Sequence, residues 1–311
     1  MTEPRAHPSF PPASRPRQPW RLRTRSLHLG ARTLVMGVVN LTPDSFSDGG
    51  RFPAPEQAVE YALRLLRQGA DILDLGAEST RPGTQAGHPD HATVSATEEQ
   101  DRLLPVLEML RRERLEAIIS VDTYKATTAR AALAAGAEII NDVSGFTWDA
   151  AMPETCAAAP CGVVLMHTRG RPDEWSTQPQ LAPQAVVATV RDGLARSLHR
   201  AHSVGIAAES IVLDPGYGFG KRGEENYALL RAQSSLLALG RPLLVGLSRK
   251  SFLRHALAAR RGREVRSRAA LEHASLAALT AAILAGASIV RVHSVAAAVE
   301  AASVADLLLE A

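Results

Sequence analysis

Three side chains in this sequence carry the hydrogen-bonding groups that a polar heterocycle requires. Asp122 and Asp214 can each accept N–H groups, and Asn141 offers both an acceptor and donors. Each one follows a short apolar run, so each is expected to be buried. Buried groups of this kind are costly unless a ligand or a neighbour satisfies them. The set therefore favours a binding site for a flat, polar heterocycle.

Two basic side chains near the C-terminus are candidates for binding phosphate. Arg291 and His293 are two positions apart, so in a strand they lie on one face. The Arg291 guanidinium can hold phosphate oxygens as a fork, and His293 can donate a further hydrogen bond. We expect these two side chains to form an anion site.

The apolar runs before these residues predict an α/β fold, a single (β/α)8 or TIM barrel. Eight such runs end at a polar residue, and a helix-length segment follows each run. They begin near residues 34, 71, 117, 138, 162, 211, 243 and 288. Barrel strands are buried on both faces, and their C-terminal ends carry the chemistry. A doubly wound open sheet, the main alternative, would concentrate its chemistry at one switch point, whereas here every run ends in a polar residue.

The segments between the runs predict helices. Glycines such as Gly69, Gly136 and Gly205 follow several of them, as expected at helix ends. The predicted helices span residues 55–68, 97–114, 125–135, 184–203, 224–239, 251–260, 267–285 and 296–309. A cluster of arginines between Arg254 and Arg268 is predicted to be a solvated surface between two of these helices.

The N-terminal segment differs in composition from the rest of the chain. Residues 1–25 contain six arginines, six prolines and one acid, a net charge of +5, whereas the whole chain carries +3. The remainder is therefore slightly acidic, which argues against a nucleic-acid partner. The composition predicts a disordered extension over residues 1–32 and a catalytic barrel domain over residues 33–311.

Further features predict a cytoplasmic protein without a membrane partner. No run reaches the roughly 18 uninterrupted apolar residues of a membrane span, and no signal-peptide pattern opens the chain. Cys156 and Cys161 have neither metal-ligand nor thioredoxin spacing, so we expect buried, reduced thiols.

Two loops are too long to be simple connections. Residues 40–56 and 78–99, after the first and second predicted strands, are dense in Gly, Pro, Ser, Thr and Asp. Loops longer than about 12 residues in a compact domain are usually lids, binding loops or disordered. We expect both to be flexible lids over the mouth of the barrel.

Eight motifs, one at each predicted strand end, resemble those of the dihydropteroate synthases. They are MGVVNLTPDSFSDGG (36–50), DILDLGAESTRPG (71–83), SVDTYKA (120–126), IINDVSG (139–145), LMHTRG (165–170), DPGYGFGK (214–221), GLSRKSF (246–252) and IVRVHS (289–294). The resemblance extends from about residue 34 to the C-terminus. It implies condensation of 6-hydroxymethyl-7,8-dihydropterin diphosphate with 4-aminobenzoate, which gives 7,8-dihydropteroate and diphosphate in folate biosynthesis.

The resemblance also implies a role for each candidate residue. Asp122, Asn141, Asp214 and Lys250 bind the pterin, with Arg291 stacked over its face. Asn40, Arg291 and His293 bind the diphosphate, and Asn40 is the ligand of a Mg²⁺ cofactor. One neutral oxygen suffices for this ion, because Mg²⁺ keeps several waters and takes other ligands from phosphate. Asp44, Phe46, Thr80, Arg81, Pro82 and Ser248 form the aminobenzoate subsite and its loops. The candidate catalytic residues are Asn40, Lys250, Arg291 and His293.

The implied reaction is SN1-like, since the C–O bond breaks toward a pterin cation as diphosphate leaves. Catalysis then comes from stabilising the departing charge and positioning the amine, without a covalent nucleophile. Closure of the lids would place aminobenzoate second in the binding order. The resemblance further implies a homodimer formed through the C-terminal helices.

Two other functions are compatible with a pterin-binding barrel. A paralogue without synthase activity should have lost loop residues such as Asp44, Thr80 or Arg81, all of which are present. The pterin domain of a corrinoid-dependent methyltransferase has no use for diphosphate and should lack the TPDSFSDGG and RVH strings.

Overall fold

The protein forms a closed barrel of eight parallel strands preceded by a two-stranded antiparallel hairpin. The structure, a computed structural model, describes residues 13–42, 54–88 and 94–310. Its strands are β1 (Gln18–Arg21), β2 (Ser26–Leu29), β3 (Leu34–Asn40), β4 (Ile72–Gly76), β5 (Ile118–Asp122), β6 (Ile139–Asp142), β7 (Gly162–Met166), β8 (Ile211–Asp214), β9 (Leu243–Val245) and β10 (Ala287–Val292). Strands β3 to β10 pair in chain order, and β10 closes the barrel on β3. The predicted (β/α)8 fold is confirmed.

The register of the barrel brings the polar strand ends to one level. Asn40 pairs with Gly76, Gly76 with Asp122, and Asp122 with Asn141. On the next strands, Met166 pairs with Asp214. These residues therefore surround one opening at the C-terminal end of the barrel.

Helices follow the barrel strands on the outside. They are α1 (Pro55–Arg67), α2 (Ala96–Glu113), α3 (Ala126–Ala134), α4 (Met152–Ala158), α5 (Pro183–Ser203), α6 (Glu224–Arg231), α7 (Ser251–Arg261), α8 (Arg268–Leu284) and α9 (Val295–Glu310). In the described part of the chain, no helix is both long enough and apolar enough to cross a bilayer.

The predicted helix over 224–239 is wrong in its second half. Helix α6 ends at Arg231, and residues Gln233–Leu239 form a 3₁₀ helix. Gln233 is fully buried, and its side chain accepts a hydrogen bond from Tyr217 (2.9 Å) and donates one to the Ala282 carbonyl (2.8 Å). These contacts join the segment to the loop after β8 and to helix α8.

The predicted disorder of residues 1–32 is wrong for residues 13–32, where β1 and β2 form a hairpin across the N-terminal end of the barrel. Trp20 is fully buried, and its indole N–H donates to the Ser210 carbonyl at 2.9 Å. It packs with Leu22, Leu29 and the first residues of several barrel strands. Pro and Arg richness therefore concealed an alternating pattern of buried side chains in this segment. Residues 1–12 lie outside the described residues.

A buried ion pair ties the start of the described chain to the last helix. Arg15 donates to Asp306 on α9 at 2.8 Å and to the Thr33 hydroxyl at 2.6 Å. Asp306 also accepts the Thr33 backbone N–H at 2.7 Å. Because each charge and hydroxyl is paired, the arginine can be buried at acceptable cost. The segment is therefore fixed at both its first residues and its hairpin.

Candidate active site

A cavity of about 900 Å³ lies at the C-terminal end of the barrel strands. Every predicted site residue that the structure describes lines this cavity: Asn40, Thr80, Arg81, Pro82, Asp122, Asn141, Asp214, Ser248, Lys250, Arg291 and His293. The remaining two, Asp44 and Phe46, lie outside the described residues. The strand-end pattern and the resemblance together therefore predicted side chains that share one cavity.

Arg291 is the centre of the deepest part of the site. From β10 it reaches across the barrel, where its Nε donates to Asp74 Oδ2 (2.6 Å) and its Nη2 to Asp122 Oδ2 (2.7 Å). Asn141 Nδ2 donates to the same Asp74 oxygen at 3.2 Å. Charge-assisted bonds of this length fix the guanidinium before any ligand binds.

Asp74 is a site residue whose role sequence reasoning missed. It lies in the middle of β4 and is fully buried, with its Oδ2 shared by Arg291 and Asn141. Its other oxygen, Oδ1, has no hydrogen-bond partner among the described residues. The available signal was an aspartate inside the otherwise apolar strand ILDLG, a position at which a charge requires a buried partner. Asp74 holds Arg291 in place rather than lining the cavity.

Asp214 and Lys250, which carry opposite charges, also line the cavity. Asp214 Oδ1 accepts the Gly216 backbone N–H at 2.7 Å, and Lys250 Nζ lies 4.0 Å from the centroid of the Phe219 ring. Burial lowers the pKa of Lys250 to about 8, against the influence of Asp214. Burial raises the pKa of Asp214, which the Gly216 N–H and Lys250 oppose.

The β8 loop, residues 215–221, gives this side of the cavity its shape. Gly216 has φ +67°, and a Cβ there would lie 2.0 Å from the His167 carbonyl oxygen, so glycine is required. Lys221 at the end of the loop is buried, and its Nζ donates to the carbonyls of His167 (3.0 Å), Gly216 (2.8 Å) and Phe219 (3.1 Å). The Lys221 ammonium group therefore binds backbone carbonyls and stabilises the loop, and we assign it no contact with a ligand.

The pKa values of Asp122 and Lys250 predict how activity depends on pH. Burial raises the pKa of Asp122 to about 7, although Arg291 opposes this shift. Below about pH 7 the carboxylate gains a proton and loses an acceptor for ligand N–H groups, and above about pH 8 Lys250 loses its charge. We expect kcat/KM for the heterocyclic substrate to be bell-shaped, with its optimum between these values. The profile of Asp122→Asn should lack the acid limb; an unchanged acid limb would contradict this assignment.

His293 and Ser248 form a neutral hydrogen-bonding pair at the rim. Burial, and after it the charges of Arg291 and Arg249, lower the pKa of His293 to about 3. Ser248 Oγ accepts the His293 backbone N–H at 3.3 Å and lies 3.1 Å from Nδ1. The serine hydroxyl is thus free to donate to Nδ1, which leaves the ring proton on Nε2. At neutral pH His293 therefore offers an N–H group and no charge.

The rim of the cavity is more basic than the sequence indicated. Arg254 on α7 and Arg268 at the start of α8 both line the cavity, as does Arg249. The prediction that the cluster is solvated agrees with the exposure of both arginines, but it did not include their place at the cavity. Both arginines are exposed, so they add positive potential at the entrance.

The residues present fit a Mg²⁺ ion that arrives with a phosphate ligand. Asn40 lines the cavity, and its side chain makes no hydrogen bond within the described part of the chain. Among the described residues, no group of three or more His, Cys, Asp or Glu side chains is placed to hold a metal ion. A single neutral oxygen suits Mg²⁺, which binds through few protein ligands together with water and phosphate oxygens.

Comparisons with known proteins identify the family of this chain. A family model described as pterin binding enzyme matches residues 36–293. The dihydropteroate synthase of Mycobacterium leprae is 43% identical over 279 residues, which cover 89% of this chain and 94% of that protein. The structure of Xanthomonas albilineans dihydropteroate synthase with 4-aminobenzoic acid has a TM-score of 0.81 at 40% identity, covering 94% of this chain and 100% of that one. The same enzyme in complex with 7,8-dihydropteroate has a TM-score of 0.78 at 38% identity, covering 94% and 99%. The chain therefore belongs to the pterin-binding enzyme family, among the dihydropteroate synthases.

Proposed function

We propose that this protein condenses 6-hydroxymethyl-7,8-dihydropterin diphosphate with 4-aminobenzoate, giving 7,8-dihydropteroate and diphosphate. The observation that carries the proposal is the group of Asp122, Asn141, Asp214 and Lys250 around Arg291 in one cavity at the C-terminal end of the barrel. The complexes of the Xanthomonas enzyme with 4-aminobenzoic acid and with 7,8-dihydropteroate support this choice of substrate and product.

The pterin binds at the deep end of the cavity. Its amino and ring N–H groups donate to the carboxylates of Asp122 and Asp214, while Asn141 and Lys250 donate to its acceptors. These side chains are already buried or half-buried, so the ligand finds preoriented partners. This arrangement determines which face and edge of the ring system the site accepts.

The diphosphate binds at the basic end. Arg291 donates charge-assisted hydrogen bonds, the neutral His293 ring donates a further one, and Asn40 offers an oxygen for a Mg²⁺ ion. When bound, Mg²⁺ would neutralise part of the negative charge that develops on the leaving diphosphate. Arg291 is held by Asp74 and Asp122, so it needs no rearrangement to oppose that charge.

The reaction replaces one bond by another at the exocyclic carbon of the pterin. The C–O bond breaks, its electron pair leaves with diphosphate, and the aminobenzoate nitrogen then forms the new C–N bond and loses a proton. We infer an SN1-like course because the described cavity residues stabilise departing anionic charge. Thr80, Arg81, Pro82 and Ser248 at the rim are placed to position the amine substrate. The proposed contribution of Asp44 and Phe46 falls outside the described residues.

Diphosphate release by the purified protein tests this function. We expect release only when the pterin diphosphate, 4-aminobenzoate and Mg²⁺ are all present in multiple-turnover conditions. Release that persists in Lys250→Ala would contradict the site. Pterin binding without any release would instead indicate a binding protein that lacks synthase activity.

Assembly as a homodimer in the cytoplasm completes the proposal. Val304, Leu307 and Leu308 on α9 are exposed to 60%, 65% and 54%. Apolar side chains grouped on one exposed helix commonly mark a protein interface, which supports pairing of two copies through the C-terminal helices. Both the dimer and its location stay predictions.

A further inference from the structure

We propose that Arg171 is a positioning residue for the aminobenzoate subsite, where it holds the second loop against the loop that follows β7. The second loop is the connection between β4 and α2, of which residues 77–88 and 94–95 are described. This inference rests on the proposed function, specifically on the assignment of Thr80, Arg81 and Pro82 to the amine substrate.

Two hydrogen bonds join the loops immediately after those three residues. The Arg171 guanidinium Nε donates to the Gly87 carbonyl, and the Gly83 backbone N–H donates to the Pro172 carbonyl at 2.9 Å. We call Arg171 and Pro172 the clasp. Because the clasp holds positions on both sides of residues 84–86, it fixes the course of the loop.

Apolar packing supports the same segment from beneath. Ala86 is fully buried in a cluster with Tyr124, Val143 and Met166, of which the last two also line the cavity. Gly87 has φ +78°, and a Cβ there would lie 2.4 Å from the Trp148 ring. Residues 83–87 of this loop are therefore docked, unlike the flexible lid that the composition predicts.

Residues next to the clasp connect it to the side of the cavity where the pterin is proposed to bind. Glu174 accepts the Arg171 backbone N–H at 2.7 Å, and Trp175 meets Phe219 edge to face at 5.0 Å. Phe219 in turn contacts Lys250. The clasp thus joins the proposed aminobenzoate loop to the side of the cavity that receives the pterin.

Loss of the Arg171 side chain should loosen residues 80–82 without altering the pterin contacts. A hydrogen bond from a charged donor is worth roughly a tenfold to hundredfold change in an equilibrium, and the Gly83 bond and the Ala86 packing remain. We therefore expect Arg171→Ala to raise KM for 4-aminobenzoate by about tenfold, with the dissociation constant for pterin diphosphate unchanged within about twofold. Arg171→Lys retains a charged donor, so it should recover part of the loss.

Steady-state kinetics and direct pterin binding test the inference in four variants. Arg191→Ala is the matched control, because Arg191 is exposed and pairs only with its neighbour Asp192 among the contacts described. Arg81→Ala tests separately whether the second loop contacts 4-aminobenzoate.

An unchanged KM for 4-aminobenzoate in Arg81→Ala would overturn the proposed role of the second loop. A raised KM in Arg81→Ala, together with an unchanged KM in Arg171→Ala, would overturn the clasp alone. Equal losses of pterin affinity and aminobenzoate affinity in Arg171→Ala would also overturn the clasp, because they indicate a general structural defect.

Discussion

Arg291→Ala is expected to lower kcat/KM by about 10³-fold, since removal of one preorganised donor to a developing anion commonly costs about 10²- to 10³-fold. An electrostatic effect places the expected loss of kcat/KM at the upper end of this range. Without the guanidinium, the buried carboxylates of Asp74 and Asp122 lose their positively charged partner. Negative charge that is not compensated in a poorly solvated site opposes the binding of diphosphate.

Two further variants separate the charge of Arg291 from its shape. Arg291→Lys retains a positive charge but cannot reach Asp74 and Asp122 as a planar fork, so we expect an intermediate loss. Arg241→Ala is the matched control, because Arg241 precedes β9 at the opposite end of the barrel, where it donates to the Ala208 carbonyl at 2.6 Å. The measurement is kcat/KM at saturating Mg²⁺. A loss of less than about tenfold in Arg291→Ala would contradict its central position in the site.

Trp20→Ala should have the largest effect on stability. Trp20 is fully buried at the closed end of the barrel, and removal of a buried aromatic side chain typically costs about 3–5 kcal/mol. Trp20→Phe keeps most of the packing but loses the bond to the Ser210 carbonyl, so about 1–2 kcal/mol is expected. The measurement is the free energy of unfolding in urea for each variant.

Activity measured on the same variants checks the position of the hairpin. Because Trp20 lies at the end of the barrel away from the cavity, kcat/KM of the folded Trp20→Ala protein should stay close to that of the unchanged protein. A stability loss below about 1 kcal/mol would mean that the hairpin is not docked as described.

The barrel was predictable because its strands have a pattern that few other folds produce. Runs such as LVMGVVN and GVVLM are buried on both faces, and a polar residue stands at or directly after the end of each. The N-terminal hairpin was not predictable in the same way. Its prolines and arginines gave the composition of a disordered segment, while the burial of Trp20 and Leu29 depends on a barrel end that only the closed fold creates.

The membership of the site was predictable, but its internal connections were not. Asp122, Asn141 and Asp214 are strand-end residues, so topology alone brings them together. The contacts of Asp74 with Arg291 cross the barrel between strands that do not pair, and a sequence pattern does not encode such a reach. Likewise, the contact between Arg171 and Gly87 joins two loops that are 84 positions apart.

Product formation tests the central claim most directly. Purified protein is supplied with 6-hydroxymethyl-7,8-dihydropterin diphosphate, 4-aminobenzoate and Mg²⁺, and the small-molecule products are identified by mass. We predict 7,8-dihydropteroate and diphosphate in equal amounts, with both nearly abolished by Arg291→Ala. If the protein is folded and binds the pterin substrate but forms no dihydropteroate, the account is contradicted.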